Sequence, residues 1–180
     1  MSRREGAQFR ILCCANVDLV GGGRSEVGRL VVITGLPGSG KTTLALDLAA
    51  SLPAARMCPD DWMMASGIDL WDTDARARIE RFQWELALTL PSAGENVIVE
   101  WGVWTRDERD ALGAAARVVG ALVELRYVTA PVEELWRRIV ERDLEGKWAL
   151  RSITCAELNE WHGNYEVPTD EEVATYDLPT

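Results

Sequence analysis

The stretch from Leu30 to Thr43, LVVITGLPGSGKTT, constrains the fold of this chain more than any other part of it. Leu30, Val31, Val32 and Ile33 form an apolar run with three β-branched members, the pattern of a buried strand. The run leads directly into Gly35, Leu36, Pro37, Gly38, Ser39, Gly40, Lys41 and Thr42, a complete match to GxxxxGK[ST], with Thr43 next. Glycines let the backbone curl into a concave nest of N–H donors, and the N-terminus of the following helix adds positive potential at the same place. A polyphosphate fits that combination. In such a loop the lysine, here Lys41, reaches the β- and γ-phosphates, and the Thr42 hydroxyl ligates Mg²⁺. Leu44, Leu46, Leu48 and Ala49 supply the apolar helix that the motif requires, which sets it apart from a chance glycine-rich turn.

A chain of 180 residues holds one domain with a real core and is short for two. No apolar run approaches the roughly 18 residues of a spanning helix, so no membrane partner is expected. With 29 acidic against 19 basic residues the net charge is −10, a field that repels polyanions and disfavours a nucleic-acid partner. Cys13, Cys14, Cys58 and Cys155 form no CxxC pair and no framework spacing. Reduced thiols of a cytoplasmic protein are the expectation.

Residues 1–28 read as a flexible N-terminal extension: Arg10, Asn16 and Asp18 interrupt its apolar part, and Gly21-Gly22-Gly23 is a linker. The domain proper is expected over 29–172, with an acidic tail over 173–180. After the loop helix, Ala54 to Pro59 offers a second strand, with Asp60-Asp61-Trp62 at its carboxyl end, where ligands of open α/β sheets bind. The same aspartates also suit the first turn of a helix running through Met64. Asp72, Thr73 and Asp74 are candidate N-caps for a long helix whose Ile79, Phe82, Leu86 and Leu90 form a core-facing stripe. Val97-Ile98-Val99 then delivers Glu100 to a strand end, either as an acid serving magnesium or as a solvated carboxylate. Thr105 and Glu108 make a capping box, Ala121 to Val128 is a further strand, and Pro131 suits the start of a helix. That helix carries Arg137, Arg138 and Arg142, which also complement its dipole. Glu145 to Arg151 lacks periodicity and reads as a loop, and Thr154 with Glu157 caps a last helix.

Taken together, these motifs resemble the small P-loop kinases of the AAA_33 type, a group similar to chloramphenicol phosphotransferase, zeta toxins and the 5′-kinase domain of polynucleotide kinase. The resemblance covers roughly residues 28–172. It implies an α/β, three-layer P-loop NTPase fold, with a mostly parallel sheet flanked by helices and a kinase-like lid at Glu145 to Arg151. It implies ATP and Mg²⁺ as cofactors, the nucleotide held by Gly35 to Thr43 and the metal by Thr42 and Glu100. In the group a strand-end aspartate acts as base on the acceptor hydroxyl; Asp60 matches it first and Asp61 second. An acid followed by "ER" after the third strand is matched by Glu100 and Glu108-Arg109, and the stretch of phosphoryl-clamping arginines by Arg137, Arg138 and Arg142 within LWRRIVER. Polynucleotide kinases place an arginine shortly after the acidic pair, where this chain has Met63 and Met64.

The resemblance therefore implies an ATP-dependent phosphotransferase acting on a hydroxyl of a small molecule, with Lys41, Asp60, Arg138 and Arg142 in catalysis. Asp61, Trp62, Trp101 and Trp104 are the candidate acceptor pocket, although tryptophans also serve as core. The alternatives are a 5′-hydroxyl kinase of nucleic acids or nucleosides, which would need a basic groove, and a plain P-loop ATPase. A monomer or weak dimer is expected.

Overall fold

The structure, a computed structural model, describes residues 27–145 and 152–177. The apolar run before the glycine-rich loop is β1 (Arg29–Thr34), and α1 (Lys41–Ser51) follows the loop. After these come β2 (Ala54–Met57), α2 (Pro59–Ala65), α3 (Thr73–Ala87), β3 (Asn96–Glu100) and α4 (Arg106–Val118). The order closes with β4 (Leu122–Tyr127), α5 (Val132–Leu144), α6 (Cys155–Asn164) and α7 (Asp170–Val173). All strand pairs are parallel, in the order β2-β3-β1-β4. Parallel neighbours need crossovers, and helices fill them, covering both faces of the sheet.

Alternation along β1 builds the two halves of the core. Leu30 and Val32 pack with Met57, Val97, Val99 and Val123, under Ala87 of α3 and Ala116 of α4. Val31 and Ile33 meet Ile98 and Ala45 of α1 on the opposite face. This is a three-layer α/β arrangement of the P-loop NTPase kind. The chain leaves β1 toward β3 and β2 on one side, then crosses to β4 on the other. The loop after β1 thus stands at the switch in strand order, where crevices form at the carboxyl ends of strands.

Local signals place the helix starts. Asp72 is the cap of α3, accepting from the Ala75 N–H at 2.8 Å. Both capping boxes form, at Thr105 with Glu108 and at Thr154 with Glu157. One expectation needs correction. The inward face of α3 carries Ala75, Gln83 and Ala87, while Phe82 is 56% and Leu86 36% exposed. The rotation of the helix sets Ala87 and Trp84 against the sheet core and leaves Phe82 and Leu86 on the outer side. The acidic C-terminal segment is packed on the domain as far as Asp177. Thr169 caps α7, and the fully buried Glu172 takes the equally buried Arg109 guanidinium at 2.5 and 3.0 Å. Tyr176 enters the core and donates to the Arg109 carbonyl at 3.1 Å, and Asp177 accepts from the Val123 N–H at 2.6 Å.

Most of the N-terminal extension, with Cys13 and Cys14, and most of the expected lid over Glu145 to Arg151 lie outside the described residues. Among the described residues no helix is long and apolar enough to cross a membrane.

Candidate active site

The glycine-rich loop turns where only glycine turns easily: Gly38 has φ 80° and Gly40, the N-cap of α1, φ 105°. A Cβ on Gly38 would stand 2.8 Å from the Leu135 carbonyl, so α5 is packed directly on the loop. Lys41 Nζ donates to the Gly35 and Leu36 carbonyls at 2.8 and 3.0 Å. Burial pulls the pKa of Lys41 down from 10.5 to about 8, against the opposing pull of Glu100 and Asp60. An anion brought to this loop meets a half-buried cation whose amine donates to backbone carbonyls.

Glu100, buried at the end of β3, accepts from the Thr42 hydroxyl through Oε1 and from Arg56 of β2 through Oε2. Thr42 and Glu100 are adjacent hard oxygen donors, and their chemistry fits Mg²⁺, which takes one or two protein groups and completes its shell with phosphates and water. Arg56 also reaches across to Asp61. It neutralises the acid of β3 and fixes the second aspartate of the pair on its own side.

A cavity of about 460 Å³ opens over the loop. Lys41, Thr42, Asp60, Glu100, Arg138 and Arg142 all line it, as does Trp101. Arg138 and Arg142 share a face of α5, as their four-residue spacing requires. Arg138 Nη1 lies 3.3 Å from the Gly38 carbonyl and 3.4 Å from that of Ser39. Arg137 points away and is bound by Glu134 and Glu141 on the exposed side of the helix.

Asp60 and Asp61 both lie in the first turn of α2, so the capping and the strand-end readings apply to the same residues. Helical rotation separates them. Asp60 faces the cavity, and Arg76 of α3 donates to its Oδ1 at 2.6 Å. Asp61 is turned to Arg56, and Trp62 packs on Phe82 with ring centroids 5.8 Å apart. Neither is among the residues that line the cavity over the loop or the one beside it. Trp101 belongs chiefly to the core, edge-on to Trp84 at 6.3 Å, with one edge on the loop cavity.

A second cavity, of about 490 Å³, adjoins the first and shares Asp60, Arg76, Gly102 and Arg142 with it. Its aromatic wall is Trp104 together with Trp71 and Trp161. Sequence reasoning found Trp104 alone of these three, and it missed Arg76. No local pattern marks them: Trp71 precedes α3, Trp161 is on α6, and Arg76 looks like any helix-surface arginine beside Glu80.

The AAA_33 family model, described as an AAA domain, matches residues 30–168, a span that takes in the loop, Asp60, Glu100 and both arginines of α5. The chain belongs to the AAA_33 family. No curated protein matches this AAA_33 chain in sequence. Among solved structures it resembles a chain of the Pnkp1/Rnl/Hen1 RNA repair complex (TM-score 0.67, 20% identity), covering 86% of this chain and 48% of that one. It also resembles Kti12 of Chaetomium thermophilum, solved with ADP-AlF3 (TM-score 0.61, 21% identity), over 79% of this chain and 82% of that one. A gluconokinase from Sinorhizobium meliloti 1021 matches over 83% and 81%, with TM-score 0.53 and 22% identity. At these identities the likeness establishes the shared fold of the AAA_33 protein.

Proposed function

We propose that this AAA_33 protein is an ATP-dependent phosphotransferase that moves the γ-phosphate to a hydroxyl of a small molecule. The observation that carries the reading is the junction of the two cavities at Asp60. One cavity holds the phosphate-binding loop, the other is a walled pocket of small-molecule size, and a carboxylate stands where they meet. A plain ATPase has no use for the second cavity.

Phosphoryl transfer asks a protein for positioning and charge stabilisation rather than covalent work. The acceptor lies in the tryptophan-walled cavity with its hydroxyl at Asp60. As the acceptor oxygen bonds to the γ-phosphorus, the bond from phosphorus to the β,γ-bridging oxygen breaks, and Asp60 takes the hydroxyl proton. Arg76 holds Oδ1 of Asp60 and orients the carboxylate. Lys41, Arg138 and Arg142 meet the charge on the phosphate oxygens. Thr42 and Glu100 would hold Mg²⁺, which would supply further neutralisation of the phosphate charge. The Kti12 complex with ADP-AlF3 supports the nucleotide half of this reading, and the gluconokinase supports a small-molecule acceptor.

The test is incubation with γ-labelled ATP and a mixed panel of sugars, aminoglycosides, nucleosides and 5′-hydroxyl RNA ends, beside a reaction with no acceptor. Label on a small-molecule hydroxyl is the expected result. Phosphate release that is the same with and without every acceptor would make the protein an ATPase, and label confined to RNA ends would make it a 5′-hydroxyl kinase.

A further inference from the structure

The second cavity has a chemistry of its own. Trp104 and Trp161 stand 5.7 Å apart and tilted by 59°, and Trp71 continues the wall 6.3 Å from Trp161 at 31°. The three indoles come from different parts of the chain and are tilted against one another rather than stacked. Opposite chemistry comes from three carboxylates, Asp60, Glu80 and Asp143, against two guanidiniums, Arg76 and Arg142. Both guanidiniums are engaged with those acids, Arg76 on Asp60 at 2.6 Å and Arg142 on Asp143 at 3.4 Å. Glu80 is the acid with the longest ion pair, 3.8 Å from Arg76.

Resting on the phosphotransferase reading, we infer that the acceptor is a cationic hydroxylated ring compound of the amino-sugar class, its ring on the tryptophan wall and an ammonium at Glu80. Among the described residues the carboxylates outnumber the cations by one, which favours an ammonium over an acceptor anion. Indole faces attract ammonium groups and the C–H faces of sugar rings, and carboxylates accept from hydroxyls and ammonium alike. Burial raises the pKa of Glu80, the mark of a carboxylate short of positive partners in its pocket. At about 490 Å³ the cavity lies within the range of roughly 300–1,000 Å³ for small-molecule sites, so it suits a compact oligocyclic small molecule and not a polymer.

Calorimetric binding to the full-length protein, with a non-hydrolysable ATP analogue present, tests this with kanamycin, glucose, gluconate and a short 5′-hydroxyl oligoribonucleotide as probes. Kanamycin is expected to bind about 10-fold or more tighter than gluconate, and Glu80→Gln, which keeps size and shape, to weaken kanamycin by about 10-fold or more. Trp71→Ala should weaken it too, with the melting temperature of each variant as the check on folding. The inference is overturned if gluconate or the oligoribonucleotide binds as tightly as kanamycin, if no probe binds, or if a folded Glu80→Gln binds kanamycin like the wild type. Label transfer from ATP separates this from the parent reading. Label on gluconate or RNA with none on kanamycin overturns the amino-sugar class and keeps the kinase. Glu80-dependent kanamycin binding with no label on any probe keeps the pocket and ends the kinase reading.

Discussion

Arg76 on α3 donates to Asp60 on α2 over 2.6 Å, and this contact stands at the border of the two cavities. It binds one carboxylate oxygen, Oδ1, of the aspartate beside the phosphate-binding loop. Asp61, one residue on, is held instead by Arg56 and lines neither cavity.

Asp60→Asn should therefore slow transfer by roughly 10²- to 10⁴-fold, the range for loss of a positioned base, with little change in the nucleotide dissociation constant. Asp61→Asn should cost far less turnover. Steady-state kinetics of the two variants decide the matter; the opposite order would mean that Asp61 is the base.

Lys41 makes a pH prediction. Its pKa is lowered on folding, from 10.5 to about 8, so between those values the unfolded chain binds more protons and stability rises with pH. Below about pH 8 the buried charge costs on the order of 3 kcal/mol. A bound polyphosphate favours the charged form, so nucleotide affinity should fall as pH rises above about 8, with proton uptake on binding in that range. Calorimetry in buffers of different ionisation enthalpy measures both. Lys41→Arg, whose charge persists, should flatten the fall, and Lys41→Ala should abolish transfer.

The arginines of α5 should divide by face. Arg138→Ala and Arg142→Ala should lower turnover with little effect on nucleotide affinity, because charge spreading on the transferring group is greatest in the transition state. Arg137→Ala, on the exposed side, should leave turnover near the wild-type value. Measuring turnover and melting temperature together distinguishes chemistry from helix capping: a lower melting point with normal turnover for both Arg138→Ala and Arg142→Ala would reduce these residues to dipole partners.

Arg109 and Glu172 form a bidentate pair buried between α4 and α7. Arg109→Ala strands a buried carboxylate and should lose roughly 3–5 kcal/mol in urea unfolding, while replacing both partners by apolar residues of similar volume should lose much less. Equal losses in the two variants would show that packing, not uncompensated charge, is what the pair contributes.

The sequence by itself determined the features that depend on neighbours within a few residues. β1 and its loop are legible because β-branched runs, positive-φ glycines and the lysine-threonine end act locally, and the same holds for the caps at Asp72, Thr105 and Thr154. Four-residue spacing likewise put Arg138 and Arg142 on one face of α5. Tertiary structure decided what depends on strand order and helix rotation. It turned Asp60 to the cavities and Asp61 to Arg56, drew Trp71, Trp104 and Trp161 into one wall, and paired Arg109 with an acid 63 positions away. Such side chains meet only after the parallel sheet has brought distant segments together, and no local energy term records that meeting in advance.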